Sequence, residues 1–225
     1  MTLLDATALT TVDALTDELG LTGEQSVTRL QRSVMVASAQ VASYLGRRVH
    51  YGAAVVEVLP ATGGGVLLLS RTPALSVASV TLSTDGGATS TTIDSSDYTL
   101  EVGVDGDDNA GILRSLAGGW GFSGRRVGAS GDPLPGTESE AYTVTYAGGW
   151  VTPAQATDEL ARTLPFDLEG AVLDLAAQSW KTRGRDKSIV KRSTLGASVT
   201  FAQGADGGLP ADVRAVLDRY KRRAI

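Results

Sequence analysis

The spacing of apolar residues changes period twice along this chain, and that double change limits the fold more than any short motif does. Val27, Leu30, Val34, Ala37, Val41 and Leu45 recur at intervals of three and four. That spacing lays one apolar stripe along a helix expected from about Glu24 to Leu45. Gly46 ends the segment, and Arg47-Arg48 stand where cations favour a helix C-terminus. Ahead of it, Thr11 is an N-cap candidate for a short helix that stops at Gly20.

From about Ala53 to Trp150 the helical period disappears. Short β-favouring runs replace it: Ala54–Leu59, Val66–Ser70, Val77–Ser83, Ser90–Ile93, Tyr98–Val102, Gly111–Arg114 and Tyr142–Tyr146. Breaks such as Gly63-Gly64-Gly65, Asp85-Gly86-Gly87 and Asp94-Ser95-Ser96-Asp97 separate them. Val77 to Val80 departs from strict alternation. Gly118 to Gly136 is a long glycine-rich loop of the kind that makes contacts or moves.

Helical spacing returns after Leu164-Pro165, with Leu168, Val172, Leu175 and Ala176 on one face of a helix running to about Arg183. A charged segment, Lys181 to Arg192, precedes a candidate strand at Ala197–Ala202 and a glycine-rich break at 204–208. A last short helix is expected from Pro210 to about Arg222, with Val213, Val216, Leu217 and Tyr220 as its stripe. The order predicts an α+β fold: a helical bundle core built from N- and C-terminal helices, an inserted antiparallel β lobe and an extended C-terminal arm. The expected segments are 1–52 and 151–186 for the core, 53–150 for the lobe and 187–225 for the arm. Val27, Leu30, Val34, Val41, Leu45, Leu168, Val172 and Leu175 are the expected core contacts between helices.

Composition removes several classes of function. The chain has no cysteine, so disulfides, thiolate metal sites and cysteine nucleophiles are out. It lacks a basic, apolar leader and any run of roughly 18 apolar residues, so an aqueous compartment and no membrane association are expected. Charge is unevenly placed. Residues 1–180 carry 9 basic and 21 acidic side chains, whereas residues 181–225 carry 11 basic and 4 acidic ones. A basic end on an acidic body suits docking to an acidic protein surface or to nucleic acid.

Signatures of chemistry fail in their context. His50 is the only histidine, too little for a His-based triad or metal cluster. Gly119-Trp120-Gly121-Phe122-Ser123-Gly124 has the letters of a dinucleotide loop, but the residues after it, through Asp132-Pro133, cannot sustain the helix that such a loop opens. Asp105, Asp107 and Asn109 gather oxygen ligands as a calcium loop does. A polar hairpin turn is the better account, and a weak calcium site remains the alternative there. No catalytic, cofactor-binding or metal residues are therefore assigned. Trp120, Trp150 and Trp180 are scattered, and the basic end is not interleaved with aromatics as a nucleic-acid stacking platform is.

Several stretches, in order, resemble the head-to-tail adaptor (connector) proteins of long-tailed, siphophage-like bacteriophages. They are Thr11-Val12-Asp13-Ala14-Leu15 with Leu19-Gly20-Leu21, Val41-Ala42-Ser43-Tyr44-Leu45-Gly46-Arg47, Leu164-Pro165-Phe166-Asp167-Leu168-Glu169-Gly170-Ala171-Val172-Leu173, and Leu195-Gly196-Ala197-Ser198-Val199-Thr200-Phe201-Ala202 with Leu209-Pro210 and the ending Arg219-Tyr220-Lys221-Arg222-Arg223. Arg71 to Val80 and Ser96-Asp97-Tyr98 look like the family's middle β segment. The loop Gly118–Gly136 and the connector Val151–Thr163 are longer than the family's pattern.

The resemblance implies a non-enzymatic virion protein of the neck between capsid and tail, made in the bacterial host's cytoplasm. It implies a ring, generally of twelve copies, below the portal protein. That ring extends the channel through which genomic DNA passes without sequence-specific binding, and it presents a surface to a stopper or tail-completion protein. The arm would reach the portal, with Lys187, Lys191, Arg192, Val199, Phe201, Arg219, Tyr220, Lys221, Arg222 and Arg223 as docking residues. Two alternatives stand beside it: another neck component such as a stopper, and a β-rich ligand-binding module such as a glycan-binding domain.

Overall fold

The short first helix, α1 (Val12–Glu18), begins where Thr11 leaves extended backbone and its hydroxyl accepts the Ala14 N–H at 3.1 Å. The long second helix, α2 (Val27–Leu45), ends at Gly46 in the left-handed region (φ 66°). There the Gly46 and Arg47 N–H groups return to the carbonyls of Ser43 and Ala42. The structure, a computed structural model, describes residues 6–22, 26–61, 63–84, 89–101, 111–121, 140–182, 191–194, 197–200 and 209–221. The fold is α+β, and the chain divides into two units, residues 1–50 with 151–225, and residues 51–150.

The first unit is helical. Besides α1 and α2 it holds α3 (Phe166–Lys181) and α4 (Ala211–Tyr220). The third helix, α3, packs against each of the other three, and α2 also meets α1 and α4. The apolar stripes face inward: Leu30, Val34, Val41 and Leu45 on α2 and Leu168, Val172 and Leu175 on α3 are buried. Each such side chain contributes about 1.5–3 kcal/mol on leaving water. Val27 corrects the expected stripe: it is 55% exposed. It is the first residue of α2, so its side chain lies one turn short of Leu30, the first buried position.

The last helix is a second correction. It was expected in a free arm, yet Val213 and Leu217 are buried and α4 packs on α2 and α3 of its own chain. Upstream of it, Lys191–Thr194 (β8) and Ala197–Thr200 (β9) form an antiparallel hairpin, with Lys191 paired to Thr200 and Arg192 to Val199. The strand β9 falls within the expected strand at 197–202, and β8 takes up the end of the charged segment Lys181 to Arg192.

The second unit is built of strands: β1 (Gly52–Pro60), β2 (Val66–Leu68), β3 (Ala74–Thr84), β4 (Thr89–Thr92), β5 (Tyr98–Leu100), β6 (Ile112–Ser115) and β7 (Ala141–Gly148). They make a four-stranded sheet in the order β1-β7-β3-β4 and a three-stranded sheet in the order β2-β6-β5. Pairing is antiparallel throughout. On β7, Tyr142, Val144 and Tyr146 alternate into a core shared with Val80 of β3, Leu67 of β2 and Leu113 of β6. The register of β3 on β7 slips between Val77 and Ser79. That bulge explains why Val77 and Val80, three apart, both face the core. The unit's two ends are tied together, since the Tyr51 N–H donates to the Trp150 carbonyl at 2.8 Å.

Candidate functional site

A patch of polar side chains gathers at the end of α4. It joins three helices of the helical unit: the last turn of α2, the first turn of α3 and the last turn of α4. The Tyr44 hydroxyl donates to Asp218 Oδ1 at 2.7 Å, and the Lys221 ammonium lies 4.6 Å from the centre of the Tyr44 ring. Arg47 donates through Nη2 to the Tyr220 carbonyl at 3.0 Å, capping a carbonyl that α4 leaves without an intrahelical partner. The Tyr220 hydroxyl donates to Asp167 Oδ1 at 2.5 Å, and Arg219 approaches Asp167 Oδ2 at 3.8 Å. The hydrogen bond to Asp218, then burial and the Asp218 charge, push the Tyr44 phenol above its ordinary value, and Arg214 acts against them.

Of the ten expected docking residues, Arg219, Tyr220 and Lys221 come together here. Lys191, Arg192 and Val199 lie on the β8–β9 hairpin. Lys187, Phe201, Arg222 and Arg223 lie outside the described residues. Tyr44, Arg47, Asp167 and Asp218 were not expected in the site. All four sit at helix ends where local pattern explains them as caps or surface residues. Only the packing of α4 on α2 and α3 reveals their grouping. Asp167, the partner of Arg219 and of the Tyr220 hydroxyl, is exposed, whereas Tyr44 and Arg47 are partly buried, so the contacts to Asp167 contribute little to the seating of α4.

A second polar cluster lines a shallow cavity between α1, α3 and α4: Glu18, Asp174, Lys181 and Asp212, floored by Val213. Burial, then the charges of Glu18 and Asp212, hold the Asp174 carboxyl above its ordinary value, and Lys181 acts against them. Among the described residues, no group of three or more His, Cys, Asp and Glu side chains is placed to hold a metal ion. The Asp105, Asp107 and Asn109 turn lies outside the described residues.

The Gly119-to-Gly124 stretch serves packing as far as Gly121, where the described residues end. Trp120 is buried and its indole N–H donates to the Leu113 carbonyl at 3.2 Å. Its backbone N–H meets the Gly64 carbonyl at 2.9 Å, so the two glycine-rich turns brace one another. Gly119 holds φ at 127°, a conformation that glycine adopts freely. All three tryptophans are buried, and Trp120 stacks edge-on against Tyr142 within the β core. None of the three presents an open ring of the kind a glycan would stack on. Among the described residues, no helix is long and apolar enough to cross a membrane.

No family model matches the sequence, and no curated protein matches it significantly. Solved structures do. The whole chain superposes on 95% of a chain from the neck of an empty GTA particle computed with C6 symmetry, at TM-score 0.59 and 18% identity. It superposes likewise on 94% of a chain from the neck of a native GTA particle computed with C12 symmetry, at TM-score 0.56 and 19% identity. A third match is to a chain from the virion of a native gene transfer agent (GTA) particle, at TM-score 0.54, 19% identity and 95% coverage of that chain. At these identities the likeness establishes a shared fold over the full length, both units included.

Proposed function

We propose that this chain is a structural component of the neck of a phage-like particle and, within the neck, the head-to-tail adaptor. The observation that carries the reading is the end-to-end match of its two-unit fold to chains from GTA necks. Sharing the order of both units over the full length is more specific than sharing either unit alone, and fold by itself does not fix function. In this reading twelve copies form a ring below the portal, a number suggested by the C12 symmetry of one matched neck. The ring extends the DNA channel and docks the stopper or tail-completion protein. The acidic balance of residues 1–180 suits a channel wall along which phosphates slide without sticking.

Docking to the portal would use the basic β8–β9 hairpin and the end of α4. Because Arg219, Tyr220 and Lys221 already hold intramolecular partners, docking there exchanges Asp167 and the Tyr44 ring for acidic groups of the partner ring. The test is electron microscopy of the protein mixed with its portal and, separately, with its candidate stopper. A ring seated on the portal supports the adaptor. Binding only to a preformed adaptor ring makes the chain a stopper instead, and binding to neither ends the neck reading. Deleting Lys187–Ile225 is expected to abolish portal binding. The deletion also removes α4 from the bundle, so it is paired with Arg219→Glu/Lys221→Glu, which leaves Val213 and Leu217 in place.

A further inference from the structure

The β8–β9 hairpin is all edge. The two strands form a two-stranded sheet of their own, and among the described elements they pack extensively only against each other. Residues 183–190 and 201–208 join them to α3 and α4. A two-stranded hairpin by itself is marginally stable in water, and an open edge invites another strand.

Register decides which backbone groups face outward. Thr194 stands opposite Ala197, with residues 195 and 196 between them. These two must exchange both N–H···O bonds, because the other pairing geometry would need a bond between residues 195 and 196. The pattern alternates, so Arg192 and Val199 also bond to one another. Lys191 and Ser193 on β8, and Ser198 and Thr200 on β9, therefore turn their N–H and C=O groups away from the hairpin. Among the described residues no backbone bond meets those groups. Neither edge is blunted. The hairpin strands hold no proline and their register does not slip, whereas β1, an edge of the four-stranded sheet, slips in register and ends in Pro60.

We infer that β8 of one copy pairs with β9 of the next, so that the hairpins of a ring close into one continuous antiparallel barrel. The inference rests on the ring reading above. The outward groups match. With neighbouring hairpins at one height, Lys191 meets Thr200 and Ser193 meets Ser198 of the next copy, giving about four main-chain hydrogen bonds at each junction. A ring needs a contact between two different surfaces of the subunit, and β8 against β9 is one. A strand from another protein would fill one edge and leave the other open, whereas a closed array of copies fills both. Charge selects against like pairing on β8: with Lys191 matched to Ser193 across two antiparallel copies, Arg192 stands opposite Arg192. Like pairing on β9 closes a two-fold dimer and leaves β8 open.

The dimensions suit a channel. Twelve two-stranded hairpins, the number suggested by C12 symmetry, supply 24 strands. At about 4.8 Å between strands the barrel is about 37 Å across its backbone, and wider once the strands tilt. Barrels of roughly 16–18 strands already enclose an open channel. Edge pairing leaves the outer face and rims of the barrel to the portal, so it deepens the docking proposed above.

The chain has no native cysteine, so thiols report only where they are placed. Rings are assembled on the portal from an equal mixture of full-length Ser193→Cys and Ser198→Cys, and from Ser193→Cys with Thr200→Cys to allow for stagger, then oxidised. Hydrogen-bonded pairs have Cα atoms about 5.5 Å apart, within disulfide reach. With one cysteine per chain, no disulfide can form inside a copy. Covalent dimers are expected from at least one mixture, and none from any single variant. No dimer in visible rings, or dimers from Ser193→Cys or Ser198→Cys alone, overturns the inference. As a second arm, Ser193→Pro and Ser198→Pro each remove an outward N–H and leave the hairpin's own bonds in place. Each is expected to lower ring yield on the portal about tenfold or more, with the melting temperature unchanged. An unchanged ring yield rejects edge pairing. A fall in yield without disulfides in the mixed rings assigns the edge to a strand of the portal and rejects a second copy. If the unmodified protein forms no ring on any portal, it is the neck reading that fails.

Discussion

Each of the two units holds a carboxylate with partners from distant parts of its own chain, and the partners differ in kind. In the helical unit Glu169, 7% exposed, accepts the Thr10 hydroxyl at 2.8 Å and pairs with Arg162 at 2.7 Å. In the β unit Glu57 accepts the Tyr146 hydroxyl at 2.8 Å and the Ser70 N–H at 3.0 Å. The helical unit ties its termini with charge: Arg162 also donates to the Leu164 carbonyl and lies 3.9 Å over the Phe166 ring, fixing the turn into α3. In the β unit the donors to Glu57 are a phenol and a backbone amide, and among the described residues Val56, Val58, Thr143, Thr145, Ser79 and Thr81 share the other side of the four-stranded sheet.

The comparison is broken most severely by removing the helical core. Val34 is fully buried on α2, and Val34→Asp places an unpaired carboxylate there at a cost above about 4 kcal/mol. The helical unit is expected to lose its cooperative melt by circular dichroism. A soluble variant that melts as the parent does would show that the stripe on α2 does not carry the unit. Next in size is Arg162→Ala, which leaves Glu169 with Thr10 alone. A loss of about 2–3 kcal/mol is expected, below the full cost of a broken buried pair because Arg162 is partly solvated. Glu169→Gln in that background is expected to restore part of it. Tyr146→Phe is the matched change in the β unit. It removes the donor to Glu57 and the acceptor of the Arg71 N–H, and is expected to cost about 1–2 kcal/mol. Burial, opposed by the Arg71 N–H and assisted by Glu57, pushes that phenol up to about 12, so the effect is expected to be flat across neutral pH.

What could be read in advance follows the range of the interactions. The α2 stripe was legible because a helix's buried face repeats every three or four residues, and only Val27, the first residue of the helix, fell outside it. The strand runs were legible too, and even the irregular Val77 to Val80 spacing was visible before its bulge explained it. The strand order was not. Glu57 and Tyr146 touch across 89 residues, and nothing in either neighbourhood announces the other. The polar patch at α4 was hidden for the same reason, with Tyr44 and Asp218 separated by 174 residues and Asp167 and Tyr220 by 53. The strand β8 was obscured by its own composition, since Lys191 and Arg192 read as solvent-facing charge. Which residues of the four-stranded sheet share a side is visible only once register assigns alternate residues to each face.

The smallest expected effect concerns how firmly α4 is seated. Asp174 on α3 faces Glu18 of α1 and Asp212 of α4, with Lys181 as the opposing charge. Its carboxyl is held above the ordinary 3.8 by burial first and by the two acids next. A carboxyl raised in the folded chain binds its proton more tightly there than in the unfolded chain. The stability it supplies is therefore complete below 3.8 and is lost as pH rises through the raised value. At neutral pH the ionised group pushes on Asp212 and so on the first turn of α4. Asp174→Asn removes that push, and because the site is open to water the gain is expected to stay below about 1 kcal/mol, or about 3 °C in melting temperature. The gain is expected to vanish at acid pH, where the parent carboxyl is protonated too. Thermal melts of both proteins from acid to neutral pH decide it: a gap of the same size at every pH would show that the asparagine acts through packing or helix propensity, and that the acidic cluster exerts no strain on α4.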